Sequence, residues 1–231
     1  MNKHYDACVF DLDGTLADSL NDLAASCDEA LSLFELPTHS IEEYRFFVGN
    51  GIRNLVCSAM GEKSEDEKLQ RSVFETFNII YDERCLEQTR PYSGIVQMLG
   101  ELKESGVIIG VLSNKADAFA KRIVDALFDK GLIDIVYGQR SDYPRKPAPD
   151  SLYALLDQIN CEKSKCLYIG DSNVDVATAK NAGVDFCGVE WGFRGYNELK
   201  NSGAEVIVKD PSEITEMVLQ SYEQDKLSKG A

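Results

Sequence analysis

The chain has 231 residues, 44% of them hydrophobic, and a formal net charge of −15. This length suits one domain, or a core domain with a smaller insert. The negative charge disfavours DNA, RNA and anionic membranes as partners, and no apolar run approaches the ~20 residues that a membrane-spanning helix needs.

The first predicted element is a buried strand that ends in two carboxylates. Apolar residues 7–10 lead directly into Asp11 and Asp13, and Gly14 follows. Side chains two positions apart on a strand point the same way, so both carboxylates should enter one small volume. Two like charges so close need a cation or a proton to offset them, and Mg²⁺ prefers carboxylate oxygens. We therefore predict a magnesium site at Asp11 and Asp13.

Two other interpretations of this stretch are weaker. A surface turn is common for an Asp-x-Asp-Gly sequence, but here four apolar residues lead straight into it. An EF-hand calcium loop also begins with Asp-x-Asp, but its sixth position must be glycine, and that position is Leu16 here.

A long helical segment follows the first strand. Apolar residues recur at three- and four-residue steps over 18–34, which predicts an amphipathic helix with Asp18 or Ser19 as its cap. Further helices are predicted over 41–48, 52–60 and 69–86. An insertion of this length is too long for a crossover between strands, so we predict an all-helical cap domain at 17–91.

Residues 1–16 and 92–231 are predicted to form the core domain, because strands and helices alternate there. After the first strand, further strands are predicted over 107–112, 134–137, 166–169, 184–189 and 205–208, with helices over 95–105, 116–129, 149–159, 174–181 and 212–222. This alternation predicts an α/β fold with a doubly wound, mainly parallel sheet. The tail from Glu223 is polar and is expected to fray.

Polar residues follow the apolar strands, where ligands bind in such sheets. They are Asp11 and Asp13 after the first strand, Ser113, Asn114 and Lys115 after the second, Lys146 after the third, and Asp171 and Asp175 after the fourth. Together they supply carboxylates, hydroxyl and amide donors and an ammonium, which is the set that phosphoryl transfer requires. The densest cationic stretch is 140–146, supported by Lys115, Lys121 and Arg122.

Cysteine and histidine usage argues against several other chemistries. Seven cysteines are scattered singly with no Cys-x-x-Cys pair, so neither a disulfide framework nor a zinc site is predicted. The two histidines, His4 and His39, lie in polar stretches, which disfavours a catalytic triad. The cysteine pattern and the lack of a signal-peptide pattern predict a cytoplasmic location.

The order of these motifs resembles the haloacid dehalogenase-like (HAD) hydrolase superfamily. Its four motifs are Asp-x-Asp-x-Thr, a Ser or Thr, a Lys and a pair of Asp residues, and all four occur here in order over nearly the full length. The helical insert resembles the first cap type of that superfamily, and 47–52 and 190–193 resemble its phosphoglycolate phosphatase branch. The resemblance implies a Rossmann-like core and a phosphatase for a small phosphorylated metabolite, with 2-phosphoglycolate favoured.

The resemblance also implies a role for each acidic residue of the first and fourth motifs. Asp11 would be the nucleophile and would form an aspartyl-phosphate. Asp13 would protonate the leaving group and then deprotonate the attacking water. Asp11, Asp171 and the main-chain carbonyl of Asp13 would hold Mg²⁺.

The remaining motif residues would bind the phosphoryl group. Ser113, the Asn114 amide and Lys146 would contact phosphoryl oxygens or offset their charge. Asp175 would orient either Lys146 or waters on the metal. A small phosphorylated substrate is the expected partner, and the sequence leaves a monomer and a dimer equally open.

Two other functions remain open. A sugar phosphomutase of the β-phosphoglucomutase type shares this cap and these motifs, and would return the phosphoryl group to a sugar instead of water. A pseudo-phosphatase acting as a binding module is the non-enzyme alternative, although no motif residue is missing. A dehalogenase is disfavoured because Asp13 would have no leaving group to protonate. A phosphonoacetaldehyde hydrolase-like enzyme would need a Schiff-base lysine in the early part of the cap. It is disfavoured because no lysine lies between Lys3 and Lys63.

Overall fold

The structure, a computed structural model, describes residues 4–219. Its strands are β1 (Ala7–Phe10), β2 (Ala17–Asp18), β3 (Arg90–Pro91), β4 (Ile108–Ala116), β5 (Ile135–Gln139), β6 (Cys166–Gly170), β7 (Asp185–Val189) and β8 (Val206–Val208). Its helices are α1 (Leu20–Leu33), α2 (Ile41–Phe47), α3 (Ile52–Met60), α4 (Glu67–Arg84), α5 (Ile95–Glu104), α6 (Asp117–Leu127), α7 (Asp150–Gln158), α8 (Asn173–Ala182), α9 (Gly195–Ser202) and α10 (211–219). The polar tail from Glu223 and the end of the last predicted helix lie outside the described residues.

β1 lies in the middle of a six-stranded sheet with the strand order β5-β4-β1-β6-β7-β8. All five pairings are parallel, and β1 pairs with both β4 and β6. The chain builds one half of the sheet through β4 and β5, and then returns beside β1 to build the other half. The predicted doubly wound parallel sheet is therefore confirmed, and its switch in strand order lies at the carboxyl end of β1.

The side chains of β1 alternate between two apolar layers. Phe10 lies in a buried cluster with Met98 of α5, whereas Val9 lies in a second cluster with Leu155 of α7. Each fully buried side chain of this size stabilises the fold by about 1.5–3 kcal/mol relative to exposure. Burial on both faces explains why β1 is apolar throughout.

Helices α1–α4 form a separate layer around their own apolar cluster, which includes Leu31, Tyr44 and Phe77. The chain leaves and re-enters the sheet region through β2 and β3, which pair antiparallel. Buried Asp22 accepts hydrogen bonds from the main-chain N–H groups of Gln88 and Thr89. These contacts fix where the helical layer joins the sheet.

Two differences from the predicted elements affect the site. β4 continues to Ala116, and its pairing with β5 is irregular between Leu112 and Ala116, so residues 113–115 belong to a distorted strand end rather than a loop. Helix α9 was not predicted, because its sequence is polar and Leu199 is its one buried residue, which gives no periodic signal. Among residues 4–219, no helix is both long enough and apolar enough to cross a lipid bilayer.

Candidate active site

A pocket opens between the carboxyl ends of β1, β4 and β6 and the helical layer. Its space, about 490 Å³, includes the open mouth toward solvent. Its polar lining is Asp11, Asp13, Ser113, Asn114, Lys115, Asp171, Ser172 and Arg194, and its apolar lining includes Leu23, Val48, Ile52, Leu55 and Phe193. The pocket is therefore polar toward the sheet and mostly apolar toward the helices.

Lys146 lies between two buried carboxylates at this edge of the sheet. Its Nζ is 2.9 Å from Oδ1 of Asp11 and 2.8 Å from Oδ1 of Asp175. Burial alone would lower the pKa of Lys146, but the charges of Asp11 and Asp175 outweigh that effect and raise the pKa well above its ordinary value. Lys146 is therefore a fixed positive charge beside Asp11.

Asp11, Asp171 and Asp175 form a buried cluster in which one ligand atom from each lies within 4.8 Å of the others. Burial raises the pKa of Asp11 to about 7 and also raises that of Asp171, because the low-dielectric site disfavours the charged forms. Oδ1 of Asp11 is buried and accepts no well-aligned hydrogen bond from the described residues. Three clustered carboxylates thus share one ammonium, which contacts Asp11 and Asp175, and this donor set fits the predicted Mg²⁺.

Asp175 is committed to positioning its neighbours. Its Oδ1 accepts hydrogen bonds from Lys146 Nζ and from the Tyr168 hydroxyl, at 2.8 and 3.1 Å. Its Oδ2 accepts hydrogen bonds from the main-chain N–H and the hydroxyl of Ser172. These contacts close a capping box at the start of α8 and also hold Lys146 toward Asp11.

Asp171 packs closely against two glycines and accepts a hydrogen bond from one main-chain N–H group. A Cβ added at Gly14 would lie 2.5 Å from Asp171 Oδ2, and one added at Gly192 would lie 2.3 Å from Asp171 Cβ. The N–H of Phe193 donates to Asp171 Oδ2 at 2.7 Å. The segment after β7 therefore shapes the site, a role that the sequence reasoning missed. Its position after an apolar strand was the available signal.

The carboxylate of Asp13 lies outside this cluster and pairs with a different lysine. Lys115 Nζ is 3.0 and 3.1 Å from the two carboxylate oxygens of Asp13. The Ser19 hydroxyl donates to Asp13 Oδ1 and makes no capping bond to α1, although Ser19 occupies the N-cap position. Asp11 and Asp13 thus both line the pocket, but each has its own ammonium partner.

The side chain of Asn114 is fully engaged within the protein. Its Nδ2 donates to the carbonyls of Gly49 and Lys146 at 3.1 and 3.2 Å, and its Oδ1 accepts from the Lys146 N–H at 2.9 Å. A contact with a phosphoryl oxygen would therefore have to come from the main-chain N–H of Asn114. Ser113 lies beside it in the pocket, where its Oγ accepts from the Lys115 N–H and its own proton can still be donated.

Arg194 is a further pocket residue that the sequence reasoning did not single out. Its Nη2 donates to the carbonyls of Phe46 and Val48 in the helical layer, at 3.1 and 2.8 Å. Lys121 and Arg122, which the sequence had suggested as supporting charges, instead form exposed ion pairs with acidic residues. Among the residues that the structure describes, the cations that line the pocket are Lys115 and Arg194.

Comparisons with known proteins agree with this architecture. A family model described as haloacid dehalogenase-like hydrolase matches residues 8–189. A phosphoglycolate phosphatase of Mannheimia succiniciproducens is 31% identical and aligns over 94% of this chain and 100% of its own. An N-acetylmuramic acid 6-phosphate phosphatase of Pseudomonas aeruginosa is 29% identical over 92% and 94% of the two chains. A crystal structure from Lactobacillus delbrueckii subsp. bulgaricus superposes with a TM-score of 0.85 at 29% identity, covering 93% and 98%.

Proposed function

The chain belongs to the haloacid dehalogenase-like hydrolases and is an enzyme of the phosphatase type, and we propose that it hydrolyses a small phosphorylated metabolite through an aspartyl-phosphate on Asp11. The observation that carries this proposal is that Asp11 and Asp171 line one pocket and that buried Lys146 contacts Asp11 from behind this lining. A carboxylate nucleophile beside a fixed ammonium needs no activating base and no histidine.

Mg²⁺ would be held by Asp11, Asp171 and the main-chain carbonyl of Asp13. When bound, it would offset the charge of the phosphoryl group and of the carboxylates around it. Lys146 adds a second positive charge from the protein, and Asp175 keeps that charge in place. The excess of carboxylates over ammonium groups supports this assignment.

The reaction then has two balanced steps. In the first, a carboxylate oxygen of Asp11 bonds to phosphorus, the bond from phosphorus to the substrate oxygen breaks, and Asp13 gives its proton to the leaving alkoxide. In the second, water attacks phosphorus, the bond to Asp11 breaks, and Asp13 takes up the proton of the water. The Ser113 hydroxyl and the Asn114 N–H are proposed to bind the phosphoryl oxygens.

We propose 2-phosphoglycolate as the favoured substrate, because relatives with about 30% identity carry the name phosphoglycolate phosphatase. Another relative is named for a sugar phosphate, so sugar phosphates are the first alternative substrates to assay. We also propose that 17–91 acts as a cap that closes over the substrate and excludes water.

We also propose a cytoplasmic location. The seven cysteines are all free, which supports this location.

The test is a measurement of phosphate release with and without Mg²⁺ from 2-phosphoglycolate, a set of sugar phosphates and p-nitrophenyl phosphate. We expect Mg²⁺-dependent release that Asp11→Asn abolishes, with 2-phosphoglycolate giving the highest kcat/KM. Equal activity in Asp11→Asn would refute the mechanism, and a low rank for 2-phosphoglycolate would refute the substrate alone. An isomerised sugar phosphate as product would favour a phosphomutase, and binding without turnover would favour a pseudo-phosphatase.

A further inference from the structure

Lys115 has no role in the reaction described above, yet it is one of the most deeply buried charges in the pocket. Its side chain is 1% exposed, and its Nζ contacts both carboxylate oxygens of Asp13. A buried ammonium is very costly unless it is paired and hydrogen-bonded. The pair with Asp13 is therefore a specific contact that the fold maintains, rather than a chance encounter of surface charges.

The contacts of the Asp13 carboxylate differ between its two oxygens. Oδ1 accepts hydrogen bonds from both Lys115 and Ser19, whereas Oδ2 accepts one from Lys115. Each carboxylate oxygen can accept about two hydrogen bonds. Within residues 4–219, Oδ2 thus keeps acceptor capacity, and Oδ1 does not. The plane of the carboxylate is set by the three contacts together.

A residue of the helical layer completes the surroundings of Lys115. The Nζ of Lys115 lies 4.9 Å from the centre of the ring of Tyr81 in α4, which is a cation–π distance. Tyr81 is fully buried, stacks on Phe77 and meets Phe119 of α6 edge-on. The ammonium is therefore held between Asp13 and an aromatic ring, with a packed wall behind the ring that excludes water.

On the basis of the proposed function, we propose that Lys115 is a positioning residue that aims the carboxylate of Asp13 so that Oδ2 exchanges the proton with the leaving group and with water. Lys115 acts through Asp13 and does not itself touch the reacting atoms. Tyr81 makes this arrangement depend on α4 being packed against the core. The competing role for a pocket lysine, binding an anionic group of the substrate, is separated from this one by the experiment.

The test uses two substrates that differ in their need for a proton. The alkoxide released from 2-phosphoglycolate must be protonated, whereas p-nitrophenolate is a stable leaving group. We expect Lys115→Met to lower kcat for 2-phosphoglycolate by about tenfold or more, since general acid–base catalysis contributes 10²–10⁴-fold. The single-turnover release of p-nitrophenolate should fall by less than about threefold, and KM should change little for either substrate. Lys121→Met, on the exposed face of α6, is the matched control and should change neither rate.

A double-mutant cycle asks whether Lys115 works through Asp13. Lys115→Met should have no further effect in an Asp13→Asn background, because coupled residues are strongly non-additive. An equal loss on both substrates, a rise in KM alone, or additive effects in the cycle would each overturn the proposal. A KM effect alone would assign Lys115 to substrate binding instead.

Folding of the variants is checked by thermal unfolding. If Lys115→Met does not fold, Tyr81→Leu tests the same arrangement from the other side, and it should shift the ratio of the two rates in the same direction. Unchanged rates in a folded Tyr81→Leu enzyme would then overturn the proposal. Failure of the proposed function is distinguishable, because it would be seen in the unaltered enzyme as a lack of Mg²⁺-dependent turnover.

Discussion

Substitution of Gly192 by alanine should displace Asp171 without removing any functional group. The added Cβ would lie 2.3 Å from Asp171 Cβ and 2.4 Å from the carbonyl oxygen of Gly14. Neither atom is the end of a flexible side chain, so the loop or Asp171 must move by about 1 Å to reach ordinary contact distance. Overpacking of this kind costs about 1–3 kcal/mol of stability. A shift of about 1 Å at a catalytic group can cost about 10²-fold in rate.

The assay measures kcat and the Mg²⁺ concentration that gives half-maximal activity. Thermal unfolding is measured with and without Mg²⁺. We expect a lower kcat, a higher Mg²⁺ requirement and less stabilisation by Mg²⁺. Gly100→Ala is the matched control, because its Cβ would meet no atom within 4 Å and it lies inside α5. That control should be neutral or stabilising by up to about 1 kcal/mol. A Gly192→Ala enzyme with unaltered kcat and Mg²⁺ requirement would refute this account of the site.

Three further predictions concern charges at the site. Lys146→Met leaves Asp11 and Asp175 buried without their cation, so the free energy of unfolding in urea should fall by about 3–5 kcal/mol. Because the pKa of Asp11 is raised to about 7 in the folded protein, above about 3.9 when unfolded, folding takes up a proton between these values. The metal-free protein should therefore lose stability from pH 4 to 7 relative to Asp11→Asn, and the melting temperatures of the two should run parallel if this is wrong. Arg194→Ala removes two hydrogen bonds to the helical layer, so KM should rise and amide exchange at 46–51 should speed up. Arg194→Lys should restore neither the KM nor the slow amide exchange. Full restoration by lysine would count against a role for the two hydrogen bonds of the guanidinium.

The parts of the site that could be predicted are those encoded locally. Asp11 and Asp171 each follow a run of apolar residues, and an apolar run that stops at a polar residue marks the end of a buried strand. The parallel sheet then brings such ends together, so their proximity follows from the fold class. The meeting of these side chains at one edge of the sheet was therefore predictable even where the bounds of the strands were not.

The parts that could not be predicted depend on contacts between distant residues or with the main chain. Lys115 and Asp13 are 102 positions apart, and nothing in either neighbourhood specifies the other. The donor to Asp171 is the N–H of Phe193, which every residue except proline possesses. Asn114 turns its side chain toward the carbonyl of Gly49, an acceptor with no signature in the sequence.

The hydrogen bonds that attach 46–50 to the core have an evolutionary consequence. Arg194, Asn114 and Arg145 all bind backbone oxygen atoms there, and such atoms persist whatever side chains the segment carries. Substitutions at these positions can therefore change side chains that line the pocket, such as Val48, while leaving the attachment intact. The constraint falls instead on Gly49, whose φ of 116° few other residues tolerate. A segment with other side chains that keeps this glycine should therefore attach to the core through the same hydrogen bonds.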